Sequence, residues 1–373
     1  MVEEKKNRMS RRDIYYWKCD RPAAFHGTGP RKTSAHSDDE ETDSRLSMEL
    51  LRHFGAGRVD VFTAYSQGIY STWRVKVDGR DMFVRTDDSA DSGDRIEMES
   101  VVLNRVRALG VPVPEVFAFD SSRLHVPFAW QALELVPFPD LNHWFRGRQL
   151  EAGPVAFEIG KNVAKWQSLQ PRGFGPFDLE AWREGRGLAG FHQTYADYFC
   201  VRLSDHLDYL VEGGFFAKDQ REEIERSIGD YASLLTIEKG CLVHKDLALW
   251  NILGPANHVA AFIDFDDAIS GDSMDDLSLL ACFHDAAFLE RAFAGYESER
   301  ALPADWRRRF WLHLLRNLIV KAVIRLGAGY FQRDSGFFLI TPDGSGADLR
   351  TFTEERISTA LRGLREDSDL SIL

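Results

Sequence analysis

The sequence has few cysteines, and they are widely spaced. Only four occur in 373 residues. Cys19, Cys200, Cys241 and Cys282 form neither a CxxC pair nor a dense framework, which excludes a small secreted scaffold held by disulfides. We expect free thiols and a reducing compartment.

Long apolar runs are also missing. The most apolar stretch, Phe310–Leu326, carries His313, Arg316, Lys321 and Arg325, which argues against a membrane-spanning helix. The charged N-terminus is not followed by the apolar core of a secretory signal. We therefore expect a cytoplasmic protein with no membrane partner.

Positive charge is in deficit. The chain has 46 Lys and Arg residues against 58 Asp and Glu residues, and its formal net charge is −12. A general nucleic-acid-binding protein needs a basic face, so we expect no nucleic-acid partner. The hydrophobic fraction of 44% and the charged fraction of 28% are ordinary for a soluble globular protein, and the length allows two or three compact units.

The order of the patterns predicts an α+β protein in three parts. Residues 1–45 are polar, and we expect a poorly ordered N-terminal extension, although Tyr15–Trp17 can dock on the body. Residues 46–136 form a β-rich lobe with one long helix, and residues 137–373 form a helical lobe. The predicted strands are Val59–Tyr65, Thr72–Val77, Asp81–Thr86, Val113–Phe119, Phe128–Val136 and Cys241–Val243, and the predicted helices are Met48–Phe54, Arg95–Leu109, Val155–Leu169, Phe191–Leu210, Gln220–Leu235, Trp306–Leu326 and Thr353–Leu364.

Two apolar runs, Cys241–Val243 and Val259–Ile263, each end on polar residues. A strand that stops on carboxylates delivers them to a cleft, and we expect Asp246, Asn251 and Asp264 to lie side by side. Two carboxylates and an amide oxygen are hard ligands that suit Mg²⁺, with substrate phosphates completing its shell. The other polar residues at these two ends are His244, Asp266 and Asp267.

The β-rich lobe adds residues that suit a phosphate ligand. The loop 66–71 contains Gly68 and can lay its amides over a phosphate, although a plain hairpin turn explains it equally well. Arg85 is either an edge residue with a solvated head or a phosphate clamp. Glu99 lies at the inward edge of the apolar stripe of helix Arg95–Leu109, so it either pairs with Arg85 or reaches solvent at the rim.

Together, these ordered motifs resemble a known family. His244-x-Asp246-x-x-x-x-Asn251 followed by Asp264-Phe265 resembles the aminoglycoside phosphotransferase and choline kinase-like branch of the protein kinase-like fold. The resemblance covers the chain from about Arg58 to Leu280.

The resemblance implies a bilobal protein kinase-like fold and an ATP-dependent small-molecule kinase, with GTP as an alternative donor and Mg²⁺ as cofactor. Asp246 would accept or orient the proton of the substrate hydroxyl, and Asn251 and Asp264 would hold Mg²⁺. Arg85 would grip the α/β-phosphates, oriented by Glu99. The remaining implied residues are Gln67, Gly68 and Ile69 in the nucleotide loop, Glu134, Leu135 and Val136 in the hinge, and His244, Asp272 and Asp276 in support.

Several positions depart from the pattern of relatives. Arg85 stands where many relatives have lysine, and Ala248 and Asp266 stand where protein kinases have lysine and glycine. A small-molecule kinase is therefore favoured over a protein kinase. Two alternatives remain, a nucleotide-binding pseudokinase without turnover and a metal-dependent phosphoesterase.

The resemblance leaves the acceptor open. An aminoglycoside, an amino alcohol and a related natural product are all compatible with it. Asp267, Asp285 and Glu290 are candidates to hold a cationic amine, and each can equally be a solvated helix residue.

Overall fold

The computed structural model describes residues 10–20, 39–65, 71–88, 93–334 and 344–373. The chain divides into two units. The sheet unit comprises Pro30–Phe138 and Ala260–Asp266, and the helical unit comprises Met1–Gly29, Pro139–Val259 and Asp267–Leu373. Within the described residues, no helix is both long enough and apolar enough to cross a bilayer.

Strands and helices are numbered in chain order. The strands are β1 Val59–Tyr65, β2 Ser71–Val77, β3 Arg80–Asp87, β4 Val116–Asp120, β5 Ala129–Glu134, β6 Phe174–Phe177, β7 Gly190–His192, β8 Cys241–Val243, β9 Ile252–Leu253, β10 Ala261–Phe262 and β11 Ile269–Gly271. The helices are α1 Trp17–Asp20, α2 Asp39–Phe54, α3 Gly93–Arg107, α4 Leu141–Arg146, α5 Ala152–Trp166, α6 Leu179–Arg183, α7 Tyr195–Phe199, α8 Leu203–Glu212, α9 Lys218–Asp230, α10 Asp275–Leu280, α11 Ala286–Glu297, α12 Trp306–Gly327 and α13 Gly346–Glu366.

A five-stranded antiparallel sheet in the order β1-β2-β3-β5-β4 forms the centre of the sheet unit. The turn between β2 and β3 is Asp78-Gly79, and both residues have positive φ, 45° and 88°, as a tight hairpin turn requires. Trp73 and Val75 alternate along β2 on one face and share a buried core with Leu46 and Leu50 of α2. Helix α2 therefore covers one face of this sheet.

Helices packed around a small sheet form the helical unit. The sheet has the order β7-β6-β11-β8, and β8 pairs antiparallel with β11. Helices α5 and α11 approach so closely that a Cβ atom at Gly160 would overlap the backbone of Ala292, and one at Gly295 would overlap the backbone of Phe157. In the 22-residue helix α12, every residue from Phe310 to Val323 is buried, so this helix runs through the core of the unit.

The predicted strands of the sheet unit and most of the predicted helices are present, with ends shifted by a few residues. The predicted helix Phe191–Leu210 is wrong, because this stretch contains the end of β7 followed by α7 and α8. The side chain of Thr194 caps α7 by accepting a hydrogen bond from the Asp197 amide at 3.1 Å. Arg202 has a left-handed backbone with φ of 54°, which one continuous right-handed helix excludes.

Residues 10–20, called here the N-terminal segment, pack against the rest of the helical unit, to which they belong. They contain a 3₁₀ turn and helix α1. Tyr15, Tyr16, Cys19 and Asp20 are each at most 3% exposed. Tyr15 and Tyr16 thus take the docked position that the sequence allows for them, and the poor order expected for residues 1–45 stays a prediction. Residues 1–9 and 21–38 lie outside the described residues.

Candidate active site

The loop that follows β8 carries the predicted base. Pairing with β11 fixes β8, so His244 and Asp246 leave the sheet at a defined point. The carboxylate of Asp276, on α10, accepts hydrogen bonds from the backbone amides of His244 at 3.0 Å and Lys245 at 3.1 Å. Lys245 has a left-handed backbone with φ of 71°, which is uncommon for a residue other than glycine. Asp276 therefore holds the strained turn from which Asp246 projects.

The carboxylate of Asp246 is buried and accepts hydrogen bonds on both oxygens. Oδ1 accepts one from the Tyr16 hydroxyl at 2.7 Å and one from Lys321 Nζ at 3.4 Å. Oδ2 accepts one from Asn251 Nδ2 at 2.9 Å and forms an ion pair with Lys18 Nζ. Two of these four donors come from the N-terminal segment, so this segment lies directly on the predicted base.

Opposing effects act on the protonation of Asp246. Burial raises the pKa of this carboxyl, whereas the charges of Lys18 and Lys321 and the hydrogen bonds from Lys18 and Tyr16 lower it. The lowering effects dominate, and the pKa lies well below that of an ordinary aspartate. Asp246 is therefore ionised near neutral pH and can accept a proton from a hydroxyl, but the two ammonium groups weaken it as a base.

Helix α12 presents a row of polar side chains to the loop and to α10. The four side chains are spaced four residues apart, so they lie along one side of the helix. Each of them lies against a buried carboxylate of the site. Arg309 donates to Asp272 at 2.6 Å, His313 lies 3.2 Å from Asp272, Asn317 donates to Asp275 at 3.0 Å, and Lys321 donates to Asp246 at 3.4 Å. We call these four side chains the α12 row.

Arg85 and Glu99 form a buried ion pair in the sheet unit. Arg85 is 6% exposed and Glu99 is 1% exposed, so the alternative of a solvent-reaching glutamate is wrong. Arg85 Nε donates to Gln131 Oε1 at 2.8 Å, and Gln131 Nε2 donates to the Ser100 hydroxyl at 2.7 Å. Neighbouring strands and helix α3 therefore fix the direction of this guanidinium.

Asp264 belongs to the same charged cluster of the sheet unit. Its Oδ1 lies 3.7 Å from Arg85 Nη1, and the amide of the next residue, Phe265, donates to Glu99 at 3.1 Å. Asp264 itself has a left-handed backbone with φ of 67°. The buried ion pair therefore positions both the strained aspartate and the residue after it.

The other predicted nucleotide residues are placed in part. Gln67, Gly68 and Ile69 lie outside the described residues. Glu134 ends β5, and its Oε2 accepts a hydrogen bond from the Glu115 amide at 3.1 Å. The predicted hinge residues Leu135 and Val136 follow, and both are partly buried.

The three candidate amine-binding residues differ in their surroundings. Asp285 accepts a hydrogen bond from the Phe288 amide at 3.1 Å and so caps α11. Glu290 is exposed on the same helix, whereas Asp267 is buried. Helix capping thus already uses one of the three carboxylates.

Three partners of Asp246 were not predicted as site residues. Tyr16 and Lys18 are 230 and 228 residues away along the chain, and a contact over such a separation leaves no local spacing to recognise. Lys321 lies in the most apolar stretch of the sequence. A lysine in an otherwise buried helix was the available signal, because lysine is rarely buried without a partner.

The side chains of Asn251 and Asp264 each offer the kind of ligand atom that suits Mg²⁺. Asn251 donates through Nδ2 to Asp246, which leaves Oδ1 as its free ligand atom. The side chain of Asp264 is 23% exposed and offers carboxylate oxygens. Both are hard donors of the kind that Mg²⁺ prefers. Asn251 belongs to the helical unit and Asp264 to the sheet unit.

A comparison with protein families decides the assignment. A model described as "Phosphotransferase enzyme family", abbreviated APH, matches residues 61–312, which is well over half of the chain. The chain belongs to this family. The predicted family and the prediction of a phosphotransferase are confirmed.

Solved structures of other phosphotransferases share the fold of this family member. Aminoglycoside phosphotransferase APH(4)-Ia is 17% identical, and the match covers 86% of this chain and 98% of that one with a TM-score of 0.58. Macrolide 2'-phosphotransferase MphH from Brachybacterium faecium is 18% identical, with coverage of 75% and 92% and a TM-score of 0.51. The predicted α+β, protein kinase-like fold class is confirmed.

One curated protein also matches part of this phosphotransferase. It is the GTP 3',8-cyclase of Pelotomaculum thermopropionicum, which is 27% identical over 118 residues. The match spans 31% of this chain and only 36% of the cyclase, so it carries no assignment of activity.

Proposed function

We propose that this phosphotransferase is a small-molecule O-kinase. It transfers the γ-phosphoryl group of ATP, or of GTP, to a hydroxyl of a small acceptor such as an aminoglycoside, an amino alcohol or a related natural product, with Mg²⁺ as cofactor. The observation that carries the proposal is the ionised carboxylate of Asp246. This carboxylate projects from a loop held by Asp276 and accepts a hydrogen bond from the side-chain amide of Asn251. It already accepts a hydrogen bond from a hydroxyl, that of Tyr16, at 2.7 Å.

The proposed chemistry divides the work between named residues. Asp246 accepts the proton of the acceptor hydroxyl as its oxygen attacks the γ-phosphorus and the nucleoside diphosphate leaves. Arg85, oriented by Glu99, binds the phosphates through paired donors. Asn251 and Asp264 would hold Mg²⁺, which neutralises charge on the phosphate oxygens when bound. Positioning and electrostatics thus supply most of the rate enhancement.

The test separates chemistry from nucleotide binding. ADP formation from ATP and Mg²⁺ is measured over a panel of hydroxylated amines, and nucleotide affinity is measured by calorimetry. Asp246→Asn should lower kcat by at least about 100-fold, since it removes the base, and should leave nucleotide affinity unchanged. Arg85→Ala should instead weaken nucleotide binding. Glu212→Gln, which changes an exposed carboxylate of α8, is the control and should behave as wild type.

Two results would contradict the proposal in different ways. Nucleotide binding without turnover of any panel member favours a pseudokinase. Release of phosphate from esters without any nucleotide favours a metal-dependent phosphoesterase.

A further inference from the structure

The N-terminal segment is anchored by a network of its own. Asp20 Oδ2 accepts hydrogen bonds from the amides of Tyr15 at 2.7 Å and Tyr16 at 3.0 Å, and Asp20 Oδ1 bonds to His206 Nε2 at 2.6 Å. Arg316 donates to the other ring nitrogen of His206 at 3.0 Å, and this network assigns the proton to Nε2. The carboxylate of Asp20 thereby closes the turn of the segment and ties it to α8.

Tyr15 gives the segment a second anchor. Its ring stacks on that of Tyr198 with centroids 5.0 Å apart, and the guanidinium of Arg316 lies 3.6 Å from the ring centroid. Its hydroxyl accepts a hydrogen bond from Lys245 at 3.0 Å, and its carbonyl accepts one from the Tyr198 hydroxyl at 2.7 Å. The segment is therefore bound in a specific seat, as a ligand would be.

This seat places two donors on the predicted base. The Tyr16 hydroxyl lies 2.7 Å from Asp246 Oδ1, within the reach that a general base needs toward the hydroxyl it serves. Lys18 holds Oδ2, together with Asn251. With Lys321 also on Oδ1, an incoming hydroxyl meets a carboxylate that is already fully hydrogen-bonded.

We propose that the N-terminal segment is a built-in competitive inhibitor of the acceptor site. Tyr16 holds the position of the acceptor hydroxyl and Lys18 holds the second carboxylate oxygen, so an acceptor reacts only after the segment has moved away. The inference rests on the proposed function, because a segment can compete only for a base that serves an acceptor.

The charges favour an inhibitor over an internal substrate. The ammonium of Lys18 contacts the same carboxylate that would have to take the proton of Tyr16, and a neighbouring cation makes a carboxylate a weaker base. Departure of the segment removes one of the two ammonium groups and leaves each carboxylate oxygen with a single donor, Lys321 on Oδ1 and Asn251 on Oδ2. At equilibrium, the apparent affinity for the acceptor equals the intrinsic affinity multiplied by the fraction of molecules in which the segment has left its seat.

The first test uses the full chain. The double variant Tyr16→Phe, Lys18→Met removes both donors to Asp246 and keeps the anchors Tyr15 and Asp20. We expect the rate at low acceptor concentration to rise by about tenfold or more, since hydrogen bonds to a charged group are lost from the seated state, and KM for the acceptor to fall with nucleotide affinity unchanged. Arg12→Ala changes an exposed residue of the same segment and should have no effect.

The second test reports docking without activity. Cys19 is fully buried within the segment, so its labelling by a maleimide, located by mass spectrometry, measures departure of the segment. Asp20→Asn should increase both this labelling and the rate, because it weakens an anchor and leaves Asp246 untouched. A panel acceptor at saturation should also increase labelling of the wild-type chain.

Three outcomes would overturn the inference. One is a lower rate in the double variant with nucleotide binding intact, because the segment would then be part of the working site. Another is phosphate on Tyr16 after incubation with ATP and Mg²⁺, because the segment would then be an acceptor. The third is unchanged Cys19 labelling in the presence of an acceptor that is turned over. Absence of transfer by every form, with nucleotide bound, would instead overturn the proposed function.

Discussion

The pKa values of two buried aspartates of the helical unit are shifted in opposite directions by their surroundings. Burial raises the pKa of both. At Asp276 this effect outweighs the charge of His244 and the amide hydrogen bonds, and the pKa is raised. At Asp246 the charges of Lys18 and Lys321 outweigh burial, and the pKa is lowered. The two ammonium charges and the hydrogen bonds from Lys18 and Tyr16 make this difference, so moving Lys18 is an effective way to change the basicity of Asp246.

His284 should make stability pH-dependent. Burial lowers the pKa of His284 from 6.5 to about 4, with Asp285 opposing and Arg356 adding to the effect. Between these values the unfolded chain binds a proton that the folded chain does not. The stabilisation is complete above pH 6.5 and is lost as the pH falls toward 4, and it amounts to about 3 kcal/mol.

The check is urea unfolding of wild type and His284→Phe at several pH values. The variant keeps a planar ring against Phe288, on which His284 stacks with centroids 3.9 Å apart. The unfolding free energy of wild type should fall relative to that of His284→Phe, by up to about 3 kcal/mol, as the pH is lowered through this window. A difference that stays constant with pH would contradict the assignment.

Single residues differ in how far the sequence reveals them. His244, Asp246 and Asn251 lie within one short stretch, and their spacing with the preceding strand predicts that they share a site. The pairing of Arg85 with Glu99 was predicted from the direction of a helix stripe. Tyr16 and Lys18 reach Asp246 only through tertiary packing, and no periodicity records that contact.

At the scale of secondary-structure elements, the crossing of α5 and α11 depends on two glycines. Gly160→Ala should destabilise the protein by at least about 2 kcal/mol, because its Cβ would overlap the carbonyl of Ala292 and backbone yields less readily than a side chain. Gly153→Ala on the same helix meets no atom and should be neutral or stabilising by up to about 1 kcal/mol.

Thermal and urea unfolding of the two variants measures this contrast. Equal stability of Gly160→Ala and Gly153→Ala would show that the two helices separate at little cost. The matched pair controls for helix propensity, since both substitutions add the same methyl group to the same helix.

Secondary-structure elements were predicted best where the apolar residues follow a single period over the whole stretch. Alternation along β2 and the Asp78-Gly79 turn are enough to predict the β2–β3 hairpin of the sheet unit. The stretch 191–210 has enough apolar residues for a helix, but the cap at Thr194 and the left-handed Arg202 divide it. Such interruptions depend on packing against side chains from distant parts of the chain. A short stretch of sequence does not contain those side chains, so it does not reveal the interruption.

For the whole molecule, thiol chemistry gives a simple global measure. Cys19, Cys241 and Cys282 are buried, Cys200 is exposed, and all four are free. Burial raises the pKa of Cys282 to about 11. One thiol per chain should therefore react quickly with an aromatic disulfide reagent in the native state, and four after unfolding.

Cys200→Ser provides the control for this count. It should remove the fast phase and leave three thiols that react only after unfolding or local opening. Two or more fast thiols in the native wild-type chain would contradict the burial pattern.

The division of the chain into units was only partly accessible from the sequence. The change from strands to helices near residue 137 is visible in composition. The assignment of Ala260–Asp266 to the sheet unit and of residues 10–20 to the helical unit is not, because both segments are far along the chain from the residues they contact.

Because of the α12 row, the contacts of the site depend on the number of residues in helix α12. Arg309, His313, Asn317 and Lys321 meet their carboxylates only while they keep their present angular spacing about the helix axis. A one-residue deletion between Asn317 and Lys321 would turn the lysine by about 100° and draw it back by about 1.5 Å, so the ammonium would lose Asp246 while Arg309 kept Asp272. In this helix the protein can therefore tolerate a change of side chain more readily than a change of residue count.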